Sequence, residues 1–383
     1  MQKERLLTPG PTMVPEEVLL ELARPMVHHR TPGFRKILAE VVEGLQYVFQ
    51  TKSDVLVLAS SGTGGMEAAV ANLLSPGDKA LVVRGGKFGE RWAEMCETFG
   101  ISPVCIDVEW GEAVAPERIQ EALEEHPDIG AVFTTLCETS TGVATDIKTI
   151  GEIVRERPAC LVVDAISGIG AMECRMDDWG VDVLVAGSQK ALMCPPGLAF
   201  VTVSKKAWAR IEGRKPAAYY FDLKKARASL TKGDTPFTPA IVLVRGLSKA
   251  LQLIRAEGIE HVWQRHAVLA DAVRTATSAL GLELLAKRPA NALTAVCAPP
   301  GTDPGDIISG MLKLGVRVAG GQEKLKGKIL RIAHMGYVDE LDIVACISAL
   351  ELTLAKFGLD VESGAGVQAA EEVFARATRQ QLE

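Results

Sequence analysis

No stretch of this 383-residue sequence is long and apolar enough to cross a bilayer. Its longest apolar runs, such as residues 55–59, fall far short of the roughly 20 residues that a spanning helix needs. An excess of basic residues is also missing: 42 Lys and Arg stand against 48 Asp and Glu, giving a formal net charge of −6. The cations are dispersed, whereas a nucleic-acid surface needs a basic face, so no nucleic-acid partner is expected. Nothing at the N-terminus resembles a signal peptide, since Met1 to Leu7 is charged and no apolar region follows. A cytoplasmic protein without membrane contact is expected. The eight cysteines (96, 105, 137, 160, 174, 194, 297 and 346) contain no Cys-x-x-Cys pair. Several, such as Cys160, sit in apolar runs, which fits buried free thiols in a reducing compartment better than disulfides or zinc. The histidines show no metal spacing either; His261 and His266 are five apart, off a shared helix face. No metal is expected. Internal repeats and low-complexity linkers are absent too.

What is present is an ordinary globular composition, 48% hydrophobic and 23% charged, in a chain long enough for two domains sharing an interface. Short β-branched runs at 55–59, 80–83, 103–106, 131–135, 160–164, 183–187 and 198–203 read as strands. Amphipathic stretches such as 66–74, 90–98, 116–125 and 147–155 read as helices between them. Near-continuous apolar strands alternating with helices indicate an α/β fold, a mostly parallel seven-stranded sheet flanked by helices. The ten residues joining the last two strands leave no room for a crossover helix, so that pair is expected to be antiparallel. Helical patterns at 241–258 and 261–280 lead into a mixture of strands (293–298, 316–319, 329–333) and helices (303–313, 340–354). This is expected to be a smaller C-terminal α+β domain. The division anticipated is an N-terminal arm over 1–15, a large domain over 16–258 and a small domain over 259–383.

In open parallel sheets ligands bind at the carboxyl ends of the strands, and three features fall there. Ser-Ser-Gly-Thr-Gly-Gly at 60–65 follows the first strand and opens a helix expected from Met66, an anion site suited to a phosphate. It lacks the third glycine of a dinucleotide fingerprint, since position 67 is Glu67, and the Gly-Lys-Ser/Thr of a P-loop. Asp164 ends the strand at 160–164, and Gly187-Ser188-Gln189-Lys190 ends the next one. Singly these read as a flexible turn, a cap and a solvated lysine. Together, a phosphate cradle, a carboxylate and a lysine 26 residues later (190 − 164) are what pyridoxal 5′-phosphate (PLP) requires. A desolvated lysine loses proton affinity and becomes a usable amine nucleophile.

The sequence also resembles the class V, fold-type I PLP-dependent aminotransferases, in particular the alanine–glyoxylate and serine–pyruvate or serine–glyoxylate group. The likeness runs from Thr8-Pro-Gly-Pro to Arg331-Ile-Ala-His-Met-Gly. It includes Ser61-Gly-Thr-Gly, Glu138-Thr-Ser-Thr-Gly-Val, Val163-Asp-Ala, Gly187-Ser-Gln-Lys-Ala-Leu, Tyr219-Tyr-Phe-Asp-Leu-Lys, Thr235-Pro-Phe-Thr-Pro and Gly320-Gly-Gln. The resemblance implies that Lys190 is the Schiff-base lysine and the proton carrier, and that Asp164 pairs with the pyridine nitrogen. It implies that Ser61, Gly62, Thr63 and Gln189 hold the phosphate, that Phe88 stacks on the ring and that Ile166 covers its other face. Thr139 would lie near the 3′-oxygen, and Arg331 would clamp the substrate α-carboxylate. Thr238 aligns with a residue that reaches the phosphate of a neighbouring subunit, which implies a homodimer with shared sites. Phe88 stands where relatives often have tryptophan, and Thr63 where some have histidine.

The reaction implied moves the amino group of a small L-amino acid, alanine or serine, to a small 2-oxo acid, glyoxylate or pyruvate. Other donors within the class (phosphoserine, aspartate, 2-aminoethylphosphonate) remain alternatives. Arg30 either meets a second acidic group of a substrate or forms a surface ion pair, the commoner fate of an arginine. A cysteine desulfurase or lyase would need a cysteine in the loop before Arg331, and residues 316–331 contain none. A non-catalytic subunit that kept the fold would have no physical need for both Asp164 and Lys190.

Overall fold

The computed structural model describes residues 3–382. A short strand, β1 (Arg5–Leu6), precedes two helices, α1 (Glu16–Leu22) and α2 (Pro32–Phe49). The sequence expectations left 16–49 without elements, although α2 has clear local causes. Thr31 accepts from the Phe34 N–H at its N-terminus, Pro32 fills the first turn, and Phe34, Leu38, Val41, Leu45 and Val48 form one buried stripe.

Strand and helix then alternate as expected: β2 (Val55–Ala59), α3 (Gly62–Leu73), β3 (Lys79–Arg84), α4 (Lys87–Thr98), β4 (Ser102–Asp107), α5 (Pro116–Glu125) and β5 (Ile129–Thr135). A small hairpin, β6 (Cys137–Glu138) with β7 (Val143–Ala144), carries the Glu-Thr-Ser-Thr-Gly segment. After it come α6 (Ile147–Arg155), β8 (Cys160–Asp164), β9 (Val183–Gly187) and β10 (Leu198–Val203).

Seven strands form one sheet in the order β2-β10-β9-β8-β5-β3-β4. β10 runs antiparallel to both neighbours, as its short connection from β9 required, and the remaining pairings are parallel. β5, β8, β9 and β10 are buried at every position, the state of strands covered on both faces. One face packs an apolar cluster with α2, α5, α6 and the later α9 (Ile241–Glu257). The opposite face packs another with α3, α4, α7 (Lys205–Glu212) and α8 (Leu223–Leu230).

The chain continues through α10 (Ile259–Ala279), β11 (Leu293–Cys297), α11 (Pro304–Lys313), β12 (Val316–Arg317), β13 (Ala319–Gly320), β14 (Ile329–Ala333), α12 (Glu340–Lys356) and α13 (Ala365–Leu382). β11, β14 and β13 make an antiparallel sheet with its own apolar cluster. α10 joins the two regions: Val262 and Trp263 enter the large core, whereas Leu269, Val273 and Ala276 enter the small one. The strand expected over 316–319 is split, because its two edges find different partners. Val316 and Arg317 pair in parallel with β1, and Ala319 and Gly320 pair with β14.

That first pairing ties the N-terminal arm to the smaller sheet. Leu7 is buried there, donating its N–H to Arg317 O and accepting from Ala333 N–H. Five residues on, Thr12 donates its N–H to Gln189 O and its hydroxyl to Lys190 O. The arm therefore spans from the small sheet to the backbone of Lys190. All eight cysteines carry free thiols, and among the described residues no helix is long and apolar enough to cross a membrane.

Candidate active site

The parallel strands deliver their carboxyl ends to one edge of the sheet. Asp164 ends β8 there, is buried, and accepts from the Ile166 N–H at 2.8 Å. Lys190 follows β9 in a turn fixed by the Ser188 hydroxyl, which donates to Pro195 O at 2.7 Å. The Lys190 ammonium is buried against the N-terminal arm, donating to Pro9 O. Gly10 is obligatory at that crossing. It has φ +116°, and a Cβ there would lie 2.5 Å from Lys190 Nζ.

Burial dominates the protonation of this pair. It pushes the Asp164 carboxyl up to about 7, opposed by the Ile166 N–H, and Glu138 adds to the rise. Burial likewise pulls Lys190 down to about 8, opposed by the Asp164 charge. A lysine near 8 is partly neutral at physiological pH and can act as a nucleophile.

The cradle beside them begins earlier than expected. α3 starts at Gly62 rather than Met66, so three glycines fall in its opening turns. They allow close approach: a Cβ at Gly62 would meet Ile166 Cδ1 at 2.5 Å, and one at Gly65 would meet Val185 Cγ1 at 2.8 Å. Ser61 occupies the N-cap, yet its side chain makes no capping bond. Its hydroxyl and the unpaired N–H groups of the first turn are thus left for an anion.

Phe88 lies in the first turn of α4, whose own N-cap, Gly86, supplies no side-chain bond. The cap comes instead from the β6–β7 hairpin. Glu138 accepts from Phe88 N–H at 3.1 Å and Gly89 N–H at 3.0 Å, and Ser140 Oγ accepts from Lys87 N–H. Glu138 is fully buried, and that burial holds its carboxyl above the usual range despite these donors. On the same hairpin Thr139 donates its hydroxyl to Ser167 Oγ at 2.6 Å.

Arg331, at the centre of β14, is buried; its Nη1 donates to Thr139 O and its Nε to Gly320 O, both at 2.9 Å. Burial brings its guanidinium down to about 10, opposed by the Glu138 charge. It remains a cation at any physiological pH.

A cavity of about 100 Å³ lies at this convergence, with Lys190, Asp164 and the cradle around it. Of its eleven lining residues, nine are ones the sequence pointed to: Ser61, Gly62, Thr63, Phe88, Thr139, Asp164, Ile166, Gln189 and Lys190. Arg91 and Ser167 are the two it missed. Arg91 was legible as the residue one helical turn after Phe88; Ser167 carried no sequence signal. Arg331 stands just behind Thr139. Thr238 is elsewhere, lining a separate cleft with Tyr220, Pro236 and Phe237. Arg30 is ion-paired with Asp234 at 2.7 Å, the surface arrangement among its two alternatives. Neither Cys297, at the end of β11, nor Cys346, buried in α12, lies in the loop before Arg331.

The sequence profile described as Aminotransferase class-V matches residues 6–335, a span that contains every residue lining the cavity and Arg331. The chain belongs to the class-V aminotransferases. Among relatives of this class-V enzyme, the small subunit of a soluble hydrogenase from Synechococcus sp. is 44% identical, covering 98% of this chain and 99% of its own. L-aspartate–glyoxylate aminotransferase of Paracoccus denitrificans is 38% identical, covering 97% and 96%. Serine–glyoxylate aminotransferase of Hyphomicrobium methylovorum is 37% identical, covering 97% and 94%. The crystal structure of pyridoxamine–pyruvate aminotransferase from Mesorhizobium loti superposes with a TM-score of 0.94 at 30% identity, over 98% of both chains. The mostly parallel sheet with flanking helices is the fold of these PLP-dependent enzymes.

Proposed function

We propose that this aminotransferase moves the amino group of a small L-amino acid, alanine or serine, to glyoxylate or pyruvate, using PLP held at Lys190. The observation carrying the reading is the buried Asp164–Lys190 pair beside the α3 cradle, each group shifted toward neutrality. The residues fit the cofactor in a further respect. Gln189 Oε1 is buried without a hydrogen-bond partner at the cavity wall, and a flip of that carboxamide turns its N–H toward an anion.

When bound, PLP supplies an electron sink for the pair released as the substrate Cα–H bond breaks. The chain's own groups do the rest. Ser61, Gly62, Thr63 and Gln189 would hold the phosphate, and Phe88 and Ile166 would flank the ring. Asp164 would keep a proton on the ring nitrogen, and its burial would strengthen that ion pair. Thr139, whose hydroxyl donates to Ser167, would lie near the 3′-oxygen. Arg331 binds the substrate α-carboxylate with donors not used on Thr139 O and Gly320 O. Lys190 Nζ, buried at the cavity, would take the proton from the substrate Cα.

The named activities of two relatives, serine–glyoxylate and L-aspartate–glyoxylate transfer, support glyoxylate as acceptor and leave aspartate as the principal alternative donor. We further propose that 16–258 and 259–383 work as large and small domains with 1–15 as an arm. The assembly proposed is a cytoplasmic homodimer in which Thr238 serves the neighbouring subunit's phosphate site. The placement of Thr238 beside exposed Tyr220 and away from its own chain's cavity supports this.

The test is a half-reaction. Protein loaded with PLP is mixed with one L-amino acid at a time, without oxo acid, and its visible absorbance is followed. Loss of the band with alanine or serine, and its return with glyoxylate, is expected. A Lys190→Ala protein that still transaminated at the wild-type rate would sink the mechanism. A second reading, a subunit working in hydrogen metabolism, is favoured by the 44% identity to a protein named as a hydrogenase subunit. It gains if no donor changes the band while the purified protein reduces a viologen dye under hydrogen.

A further inference from the structure

Arg91 lines the cavity, yet the reaction as derived gives it no task. Its Nη1 donates to Thr63 Oγ1 at 3.1 Å, and its guanidinium lies over the Phe88 ring at 4.8 Å from the centroid. Helix stability does not explain a cation here. Arg91 is the fifth residue of α4, at the end where the helix dipole disfavours positive charge. No ion-pair partner accounts for it among the described residues, so most of its five N–H donors stay uncommitted beside the cradle.

The direction of the bond to Thr63 matters. A guanidinium can only donate, so the Thr63 oxygen is the acceptor and the hydroxyl proton must point elsewhere. Thr63 sits in the first turn of α3 on the cavity wall, where the open direction is the anion site itself. Accepting from a cation also polarises the hydroxyl and makes it a stronger donor.

We propose that Arg91 is a positioning residue for a phosphate monoester: through Thr63 Oγ1 it turns that hydroxyl into a fixed donor toward the phosphate. This rests on the PLP reading above. The role belongs to the phosphate end of the ligand, so it is separable from catalysis.

The experiment compares two probes, PLP and pyridoxal, which differ by the phosphate alone. Dissociation constants are measured by absorbance titration of cofactor-free wild-type, Arg91→Met, Thr63→Val and doubly substituted protein. Arg91→Met is expected to weaken PLP about tenfold and leave pyridoxal within about twofold, since a hydrogen bond to a charged group is lost. The double variant is expected to bind PLP no worse than Thr63→Val, because the two act as one unit. Equal weakening of both probes, additive losses in the double variant, or wild-type PLP affinity in Arg91→Met would each overturn the proposal. A wild-type protein that binds PLP but converts no amino donor would defeat the transaminase reading, while these affinities still decide Arg91.

Discussion

At the scale of single residues, the site is a set of groups whose ordinary chemistry is altered by burial. Asp164 is the sharpest case. Its folded pKa of about 7 lies above the ordinary carboxylate value, so the folded chain binds more protons than the unfolded one between about 4 and 7. Asp164's contribution to the stability of the cofactor-free protein therefore falls as pH rises through that window and stays low above it. Asp164→Asn should raise the thermal midpoint of the cofactor-free protein at pH 8, and leave it nearly unchanged at pH 4. The same substitution should cut transamination by about a hundredfold or more, because the ring proton loses its holder. Calorimetry at the two pH values and a steady-state assay check the two halves. A variant less stable than wild type at pH 8 would show that the attraction of the Lys190 charge outweighs desolvation.

At the scale of elements, the first turn of α4 shows what the sequence could and could not give. Phe88 was legible from a motif, but the group that sets it in place lies fifty residues on, in the β6–β7 hairpin. Glu138 reads in sequence as part of Glu-Thr-Ser-Thr-Gly, with nothing to say that it caps a distant helix. Gly86 and Gly89 are explained by the same packing: a Cβ at Gly86 would collide with Glu138, and one at Gly89 would meet Val83 O at 2.5 Å. Because that second obstacle is backbone, Gly89→Ala should destabilise by about 1–3 kcal/mol and displace Phe88. Denaturant unfolding with cofactor titration tests it; unchanged values for both would mean that α4 can shift without cost. Glu138→Gln keeps the shape but loses a charged acceptor for three N–H groups, those of Phe88, Gly89 and Ser140. It should weaken cofactor binding more than it lowers stability, because helices tolerate a poor cap better than a site tolerates a misplaced ring.

At the scale of the whole molecule, two regions are joined by α10 and by the N-terminal arm. Leu7 is fully buried in the small region, and Thr12 holds the Lys190 backbone. Leu7→Ala should cost about 2–5 kcal/mol and reduce activity at a distance. A loss of stability with unchanged activity would show that the arm does not brace Lys190. Two buried histidines also set the acid limit. His266 receives the Gly336 N–H on Nε2, and burial drives its pKa down to about 3; His334 is likewise driven well below its usual value. The unfolded chain binds more protons than the folded one between about 3 and 6.5, so stability drops as pH falls through that range. Two histidines oppose the single Asp164 slope, so thermal midpoints should fall between pH 7 and 4, and His266→Phe should lessen the fall.

The sequence by itself determined the alternation of strands and helices, the antiparallel turn before Leu198, and the conjunction of Gly-rich turn, Asp164 and Lys190. These are local: each follows from side-chain period, chain length or the chemistry of residue types close in sequence. Tertiary structure alone decided which faces meet. It split residues 316–319 between two sheets, passed the N-terminal arm across Lys190, put Arg91 against Thr63, and gave the α4 helix a cap from Glu138. It also set the protonation of Asp164 and Lys190, since a pKa depends on the dielectric and charges around a group. Those surroundings are assembled from segments more than a hundred residues apart, and no local pattern encodes them.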